Sequence, residues 1–307
     1  MNGVIVVDKP KGVTSHDVVA SVKRKLRASK VGHLGTLDPN ATGVLPLVIN
    51  KSTKLATYFG GTHKAYTATM KLGEETDTYD VEGKVTKSFS IDNVTDDDIR
   101  RALDSFVGQI DQVPPMYSAV KRKGTPLYKL ARKGVVVERE PKQIEIYAIE
   151  VVDIALPYVI FNVQCSRGTY IRTLCHDVGT VLSCGGHLSD LRRTLSGVFT
   201  IDEAISLDAD LDTTRGALMD EEAVLSRLYK GIELSAVDAD KVARGAAMLG
   251  LSDSSSIGEA EIVRLTKSGI LVALAQNGSD GIFKVLKRFD RSAGGESQRL
   301  RANSRGI

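Results

Sequence analysis

The apolar positions along this chain switch repeatedly between a strand period and a helix period. GVIVVDKP, at the start, is a short unbroken apolar run closed by a turn and predicts a strand. TSHDVVASVKRKL changes period: Thr14 can cap a helix whose first turn holds Asp17, with Val18, Val19, Val22 and Leu26 on one face. The opposite face begins a basic patch at Lys23, Arg24 and Lys25. VLPLVI reads as a strand in which Pro46 argues for an edge position or a bulge. KAYTATMKLG alternates, with Tyr66, Ala68, Met70 and Leu72 on one face and Thr67, Thr69 and Lys71 on the other, as a half-buried strand does.

Further along, TDDDIRRALDSFVGQI predicts a capped helix with Ile99, Leu103, Phe106 and Val107 inward. Residues 144–165 predict two strands, the second with Val159, Phe161, Val163 and Cys165 on one side. GTYIRTLCHDVGTVL turns into a helix carrying Ile171, Leu174, Cys175, Val178 and Leu182. Helices and strands mix without a βαβ rhythm, which favours an α+β fold around a mixed, largely antiparallel sheet. Residues 206–232 are acidic and helix-like, and beyond them EIVRLTKS, ILVALAQNG and GIFKVLKRF predict the strands of a small β domain. The last stretch, DRSAGGESQRLRANSRGI, is polar and arginine-rich and is expected to be disordered.

Composition narrows the function classes. The chain has 307 residues, 42% hydrophobic and 26% charged, enough for a large domain plus a small one. No apolar run has the length of a membrane span, and MNGVIVVDKPKG lacks a signal-peptide layout, so a cytoplasmic location is expected. Cys165, Cys175 and Cys184 form no C-x-x-C pair and are expected as buried, reduced thiols. Net charge is only +3, but residues 121–142 hold eight Lys/Arg against Glu138 and Glu140, and residues 18–30 hold five basic residues and no acid. Such patches suit phosphate contact, and from composition alone they suit an ordinary solvated face equally well.

The common catalytic signatures are missing. There is no Walker loop, no HExxH, no Cys/His set with zinc spacing and no Rossmann spacing in GTLDPNATG. EETDTYDVEG puts Tyr79 and Val81 where a calcium loop needs oxygen ligands. GHLGTLDPNATGVLP remains, residues 32–46, with three glycines and two prolines around one carboxylate, Asp38. An ionised, well-aimed aspartate can be a nucleophile without a partner base, and an arginine alongside would orient it. On physics alone the stretch is as readily a simple turn.

This loop closely resembles the catalytic motif of the TruB family of tRNA pseudouridine synthases. VVDKPKGVTSHDVV, HKAYTATMKLGEETDTYDVEG, QVPPMYSAVKRKGTPLYKLARKG, CSRGTYIRTLCHDVG and HLSDLRRTLSG follow in family order, so the resemblance spans most of residues 3–200. It implies a catalytic domain at 1–230 with a thumb insert at about 112–142, a PUA-like RNA-binding β-barrel domain at 231–290, and a disordered basic tail at 291–307. It implies isomerisation of the T-loop uridine of tRNA, position 55, to pseudouridine. Since no atoms or electrons are gained or lost, no cofactor and no metal are implied.

Roles carry over by position. Asp38 matches the nucleophile, Arg172 the arginine paired with it, and Tyr66 the tyrosine against the uracil. His33 matches the residue that takes the place of the flipped base. Tyr170 and Leu191 match pocket walls, Asp80 an acidic residue near the flipped nucleotide, and Lys54 a phosphate contact. Lys121, Arg122 and Lys123 belong to the thumb. The implied partner is the T arm of tRNA, with no membrane and no obligate protein partner, and the chain is expected to be a monomer. The rival readings are a guide-dependent synthase of the dyskerin type, an RNA-folding protein for which catalysis is secondary, and a carboxylate glycosidase.

Overall fold

The computed structural model describes residues 1–122, 124–251 and 257–289, and the chain divides between Met219 and Asp220 into two units. The first unit begins β1 (Gly3–Lys9), α1 (Ser15–Lys25), β2 (Val31–His33), β3 (Thr42–Ile49), α2 (Ala56–Phe59) and β4 (His63–Leu72). A small hairpin follows, β5 (Glu74–Thr76) and β6 (Val85–Ser88), then α3 (Asp96–Asp104) and β7 (Gly108–Gln112). Residues 113–141 carry a two-residue hairpin, β8 (Lys121–Arg122) and β9 (Thr125–Pro126), and a short helix, α4 (Leu127–Ala131). The unit closes with β10 (Lys142–Ala155), β11 (Tyr158–Ser166), α5 (Ile171–Val181), β12 (Gly186–Ser196), β13 (Phe199–Thr200), β14 (Ile205–Ser206) and α6 (Leu211–Gly216).

Ten of these strands form one sheet in the order β14-β1-β3-β12-β4-β11-β10-β7, with β2 beside β3 and β13 beside β12. Only β1/β14 and β12/β3 run parallel, so the fold is α+β with a largely antiparallel sheet. The helices pack their apolar stripes on it. Val18, Val22 and Leu26 from α1, Ile99 and Leu103 from α3, and Leu174, Cys175 and Val178 from α5 join one core with Met70, Leu72, Phe161 and Val163. Helix α1 has the expected cap: Thr14 accepts from Asp17 N while the Asp17 carboxylate accepts from Thr14 N. All three cysteines are free and buried.

Two details differ from the sequence reading. β3 is internal rather than an edge, since β1 flanks one side and β2 and β12 share the other. The Pro46 carbonyl accepts from Leu34 N, so its missing N–H faces the gap between β2 and β12, where no ladder bond is lost. Val107 is exposed, because α3 ends at Asp104 and the chain turns at Gly108 (φ +111°) before the helical period reaches it.

β4 is the ruler of the sheet. Lys64, Tyr66, Ala68, Met70 and Leu72 share one face, and β12 lies antiparallel to them with Leu188 opposite Met70, Leu191 opposite Ala68 and Arg193 opposite Tyr66. A register shift between Leu188 and Asp190 absorbs one residue, which is how positions three apart come to share a face. On its other side Arg193 meets Gly43 of β3.

The second unit holds α7 (Glu221–Leu228), β15 (Gly231–Glu233), α8 (Ala236–Ala243), β16 (Met248–Gly250), β17 (Ile262–Lys267), β18 (Ile270–Asn277) and β19 (Ile282–Arg288). Its sheet runs β15-β17-β18-β19-β16, curled by register shifts at Leu265/Thr266 and Leu274/Ala275 into a half-barrel of PUA-like form. Val263, Leu265, Ala273, Ala275 and Phe283 fill it together with Ala239 and Val242 of α8. Arg288, from the LKRF stretch, donates to the Val242 carbonyl near the end of α8 and to the Gly245 and Ala246 carbonyls just past it. The arginine-rich tail lies outside the described residues.

Gly43 shows how tight the β3/β12 contact is. Its φ is +99°, and a Cβ there would sit 2.2 Å from the Arg193 carbonyl oxygen. Gly43→Ala should therefore cost at least about 2 kcal/mol, read as a lower urea midpoint at unchanged slope. An unchanged midpoint would mean that the two strands separate without cost.

Candidate active site

The segment carrying Asp38 is irregular, yet its backbone is held almost residue by residue. Leu34 N donates to Pro46 O, and Ser15 Oγ both donates to Leu37 O (3.0 Å) and accepts from Leu37 N (2.9 Å). Arg193 donates to Gly35 O (3.1 Å), Thr36 O (3.3 Å) and Val44 O (2.8 Å). Lys9 Nζ donates to Pro39 O (2.9 Å) and to Pro10 and Val13 carbonyls, and Gly12 N also donates to Pro39 O. The glycines admit the path, Gly35 at φ +144° with the Arg193 guanidinium beside it. The Asp38 side chain itself stays half exposed. A carboxylate is thus presented to solvent from a backbone that cannot shift.

Arg172 meets it from α5. Gln112 of β7 fixes the helix start, donating to Tyr170 O (3.1 Å) and accepting from Tyr170 N (2.8 Å). The Arg172 side chain is 7% exposed, and its Nη2 lies 3.2 Å from Asp38 Oδ2 while its Nη1 lies 3.2 Å from Asp80 Oδ2. It also donates to Tyr117 O (2.8 Å) and Thr78 O (3.5 Å). A buried guanidinium between two carboxylates with its other donors engaged is a rigid fork.

Tyr66 sits on the sheet face behind this pair. It stands opposite Arg193 in the β4/β12 ladder; burial raises its pKa, and the Arg193 charge opposes that. Arg193 is 2% exposed, and burial lowers its own pKa. Two more cations, Lys64 and Lys9, are buried. Lys64 donates to Ser196 Oγ at 2.6 Å, and burial, then the Arg193 charge, lowers it to about 8. Burial likewise lowers Lys9 to about 8, against the pull of Asp38.

Asp38, Asp80, Arg172, Tyr66, Arg193 and Lys64 line one cleft of about 890 Å³, which also takes in Tyr170, Leu191, Tyr128 of α4 and Arg132 just after it, whereas Lys9 is outside the lining. The size suits a nucleotide. Of the residues singled out in the sequence, Asp38, Tyr66, Asp80, Tyr170, Arg172 and Leu191 meet here. Burial raises the Tyr170 pKa. His33 and Lys54 are outside the lining. His33 ends β2, half-buried, edge-to-face with His16 at 5.8 Å; burial, then His16 and Arg193, lower its pKa. Lys54 is exposed in a 3₁₀ turn, Asn50–Leu55. Lys121 and Arg122 are exposed on the β8/β9 hairpin, Arg122 donating to Glu138 O, and Lys123 lies outside the described residues. The sequence reading missed Lys9, Lys64, Tyr128, Arg132 and Arg193. The face shared by Lys64 and Tyr66, and the double arginine in HLSDLRRTLSG, were the available signals.

Comparison with known proteins places these features in a family. The family model TruB family pseudouridylate synthase (N terminal domain) matches residues 23–171, and the model tRNA pseudouridylate synthase B C-terminal domain matches 172–234. The chain is 46% identical over 302 residues to tRNA pseudouridine synthase B of Geotalea uraniireducens, covering 95% of this chain and 97% of that protein. It is 43% identical over 288 residues to tRNA pseudouridine synthase B of Clostridium tetani, covering 94% and 99%. Among solved structures, a chain of a Cbf5-Nop10-Gar1 complex is similar with a TM-score of 0.72 and 29% identity, covering 94% of this chain and 84% of that one.

The buried lysines make stability depend on pH. Lys9 and Lys64 titrate near 8 in the folded chain against 10.5 for a free side chain. Below about pH 8 both states are protonated and the burial penalty is full. Above it the unfolded chain binds more protons, so stability rises. Cys165, pushed up to about 11 from 9.0, works the opposite way above pH 9. Between pH 7.5 and 9 the urea midpoint should rise, by roughly 1 kcal/mol for each lysine, and Lys9→Met should remove its share. A flat profile would show that neither ammonium is desolvated.

Proposed function

The chain belongs to the TruB family and isomerises uridine in tRNA to pseudouridine, and from that premise we propose that Asp38 is the nucleophile and that the substrate is the T-loop uridine, position 55. The observation that carries the proposal is the Asp38–Arg172–Asp80 cluster at the mouth of a nucleotide-sized cleft walled by Tyr66, Tyr170 and Leu191.

The glycosidic bond of a stacked uridine is out of reach, so the nucleotide must leave the stack. The walls at Tyr170 and Leu191 replace the lost stacking. His33 takes the vacated position. Its lowered pKa keeps the ring neutral near pH 7, which suits a wedge between bases better than a charge does. Asp38, aimed by Arg172, adds to the nucleotide as the N1–C1′ bond breaks; the uracil rotates, C5 bonds to C1′, and the bond to Asp38 breaks to free the carboxylate. C5 then loses its proton and N1 ends protonated, which balances the reaction without cofactor or metal. Tyr66, whose raised pKa keeps its proton at neutral pH, serves as a donor or relay at the ring, polarised by Arg193.

Lys54, Lys121 and Arg122 are exposed cations suited to the RNA backbone, and the 113–141 segment serves as a thumb on the T arm. The enzyme works as a cytoplasmic monomer without a protein partner. Among the described residues no helix is long and apolar enough to cross a membrane. The likeness to a chain of the Cbf5-Nop10-Gar1 complex favours a second reading, in which activity needs partners. Pseudouridine mapping of an unmodified tRNA transcript, with purified protein alone, decides between them. Conversion confined to position 55 supports the stand-alone enzyme, and tight binding without conversion supports the second reading.

Asp38→Ala should abolish conversion while tRNA affinity stays within a few-fold; turnover by this variant would remove the nucleophile assignment. Replacing Lys121 and Arg122 together by Ala should weaken tRNA binding and reduce its log–log salt slope by about 2. An unchanged slope would take both off the phosphate contacts.

A further inference from the structure

Helix α5 carries a second aromatic or charged side chain on the face of Arg172. His176 follows it by four residues, one helical turn, and so stands beside it. The turn of residues 77–83 docks on both. Asp80 meets Arg172, and the Tyr79 ring lies flat on the His176 imidazole, with centroids 4.0 Å apart and planes 9° from parallel.

Three observations mark this stack as more than filler. Tyr79 has φ +64°, a conformation that glycine adopts freely and a bulky side chain resists, so its ring contact has to offset the backbone strain. The His176 Nδ1 is buried and has no hydrogen-bond partner, so what the position uses is the flat face of the ring rather than its polar atoms. Neither ring lines the cleft. Meanwhile the turn fixes both oxygens of Asp80. Oδ1 accepts from Thr78 Oγ1 (2.6 Å) and Glu82 N (3.1 Å), and Oδ2 accepts from Arg172. Tyr79 O accepts from Leu188 N (3.0 Å), which ties the turn to β12.

We propose that the Tyr79–His176 stack is a positioning clamp: it locks the 77–83 turn in register with α5, so that Asp80 holds the Arg172 fork and the fork aims Asp38. His176 and Tyr79 are positioning residues that act through Asp80. The inference rests on the assignment of Asp38 and Arg172 above. Loosening the turn leaves Arg172 with one fixed anchor fewer, which misaims the nucleophile, although the two stacked rings are themselves outside the cleft lining.

The test is kinetic, on the full-length protein with an unmodified tRNA transcript. His176→Ala should lower kcat about tenfold with KM within about twofold, and His176→Phe, which keeps a flat ring, should restore kcat to within about twofold. Tyr79→Gly removes the ring and relieves the φ strain together, so it should fold and match His176→Ala. In an Asp80→Asn background, single-turnover rates should show no further loss from His176→Ala, because the clamp acts through that carboxylate. Wild-type kcat in Tyr79→Gly, failure of Phe to restore a loss in His176→Ala, or an undiminished His176→Ala effect in the Asp80→Asn background overturns the clamp. An active Asp38→Ala enzyme would instead overturn the assignment on which the clamp rests, so the two failures are separable.

Discussion

Arg193 is a positive charge with almost no exposed surface, and its guanidinium donates to three backbone carbonyls, those of Gly35, Thr36 and Val44. Such a group is tolerated only where its donors are satisfied. The consequence is structural: an irregular loop, normally the softest part of a fold, becomes a wall. Residues 35 and 36 are tied to β12, Leu37 to α1 through Ser15, and Pro39 to Lys9 of β1. Three different elements therefore converge on the six residues that present Asp38. The Gly-rich loop has to be flexible in sequence so that it can be followed by other groups, and it is rigid in the fold because they do follow it.

Much of this was legible in the chain. Strong periods found β1, α1, β4, β11 and α5, because each is long enough for its apolar face to repeat. The family motifs found Asp38, Tyr66, Leu191 and Arg172, and the structure brings all four to one cleft. What pattern reading lost was of one kind. Alternation along HLSDLRRTLSG puts Leu188 and Leu191 on opposite faces; the register shift at Leu188/Asp190 puts them on the same one and turns Arg193 inward. A bulge is set by the partner strand, so one strand alone does not announce it. Lys9 and Lys64 were missed for a related reason, since a lysine in a strand reads as solvated unless its acceptors, here carbonyls and Ser196, are known. Pro46 was read as an edge marker because the gap between β2 and β12 is a tertiary fact.

The cleft is electrically mixed rather than simply basic. Arg172 and Arg193 face Asp38 and Asp80, and Lys64 loses much of its preference for the charged state. The interior of the cleft is thus mixed in sign, while Lys54, Lys121 and Arg122 stand exposed outside its lining. Under the proposed function, recognition at long range and chemistry at short range fall to different residues.

Tyr117 gives the arrangement a sense of time. Its carbonyl is one of the acceptors that complete Arg172, and it stands at the root of the segment that carries β8, β9 and α4. When that root swings away, a buried guanidinium N–H loses its acceptor, at a cost on the order of 1–3 kcal/mol. The segment and the Arg172–Asp38 pair are thereby coupled through one side chain.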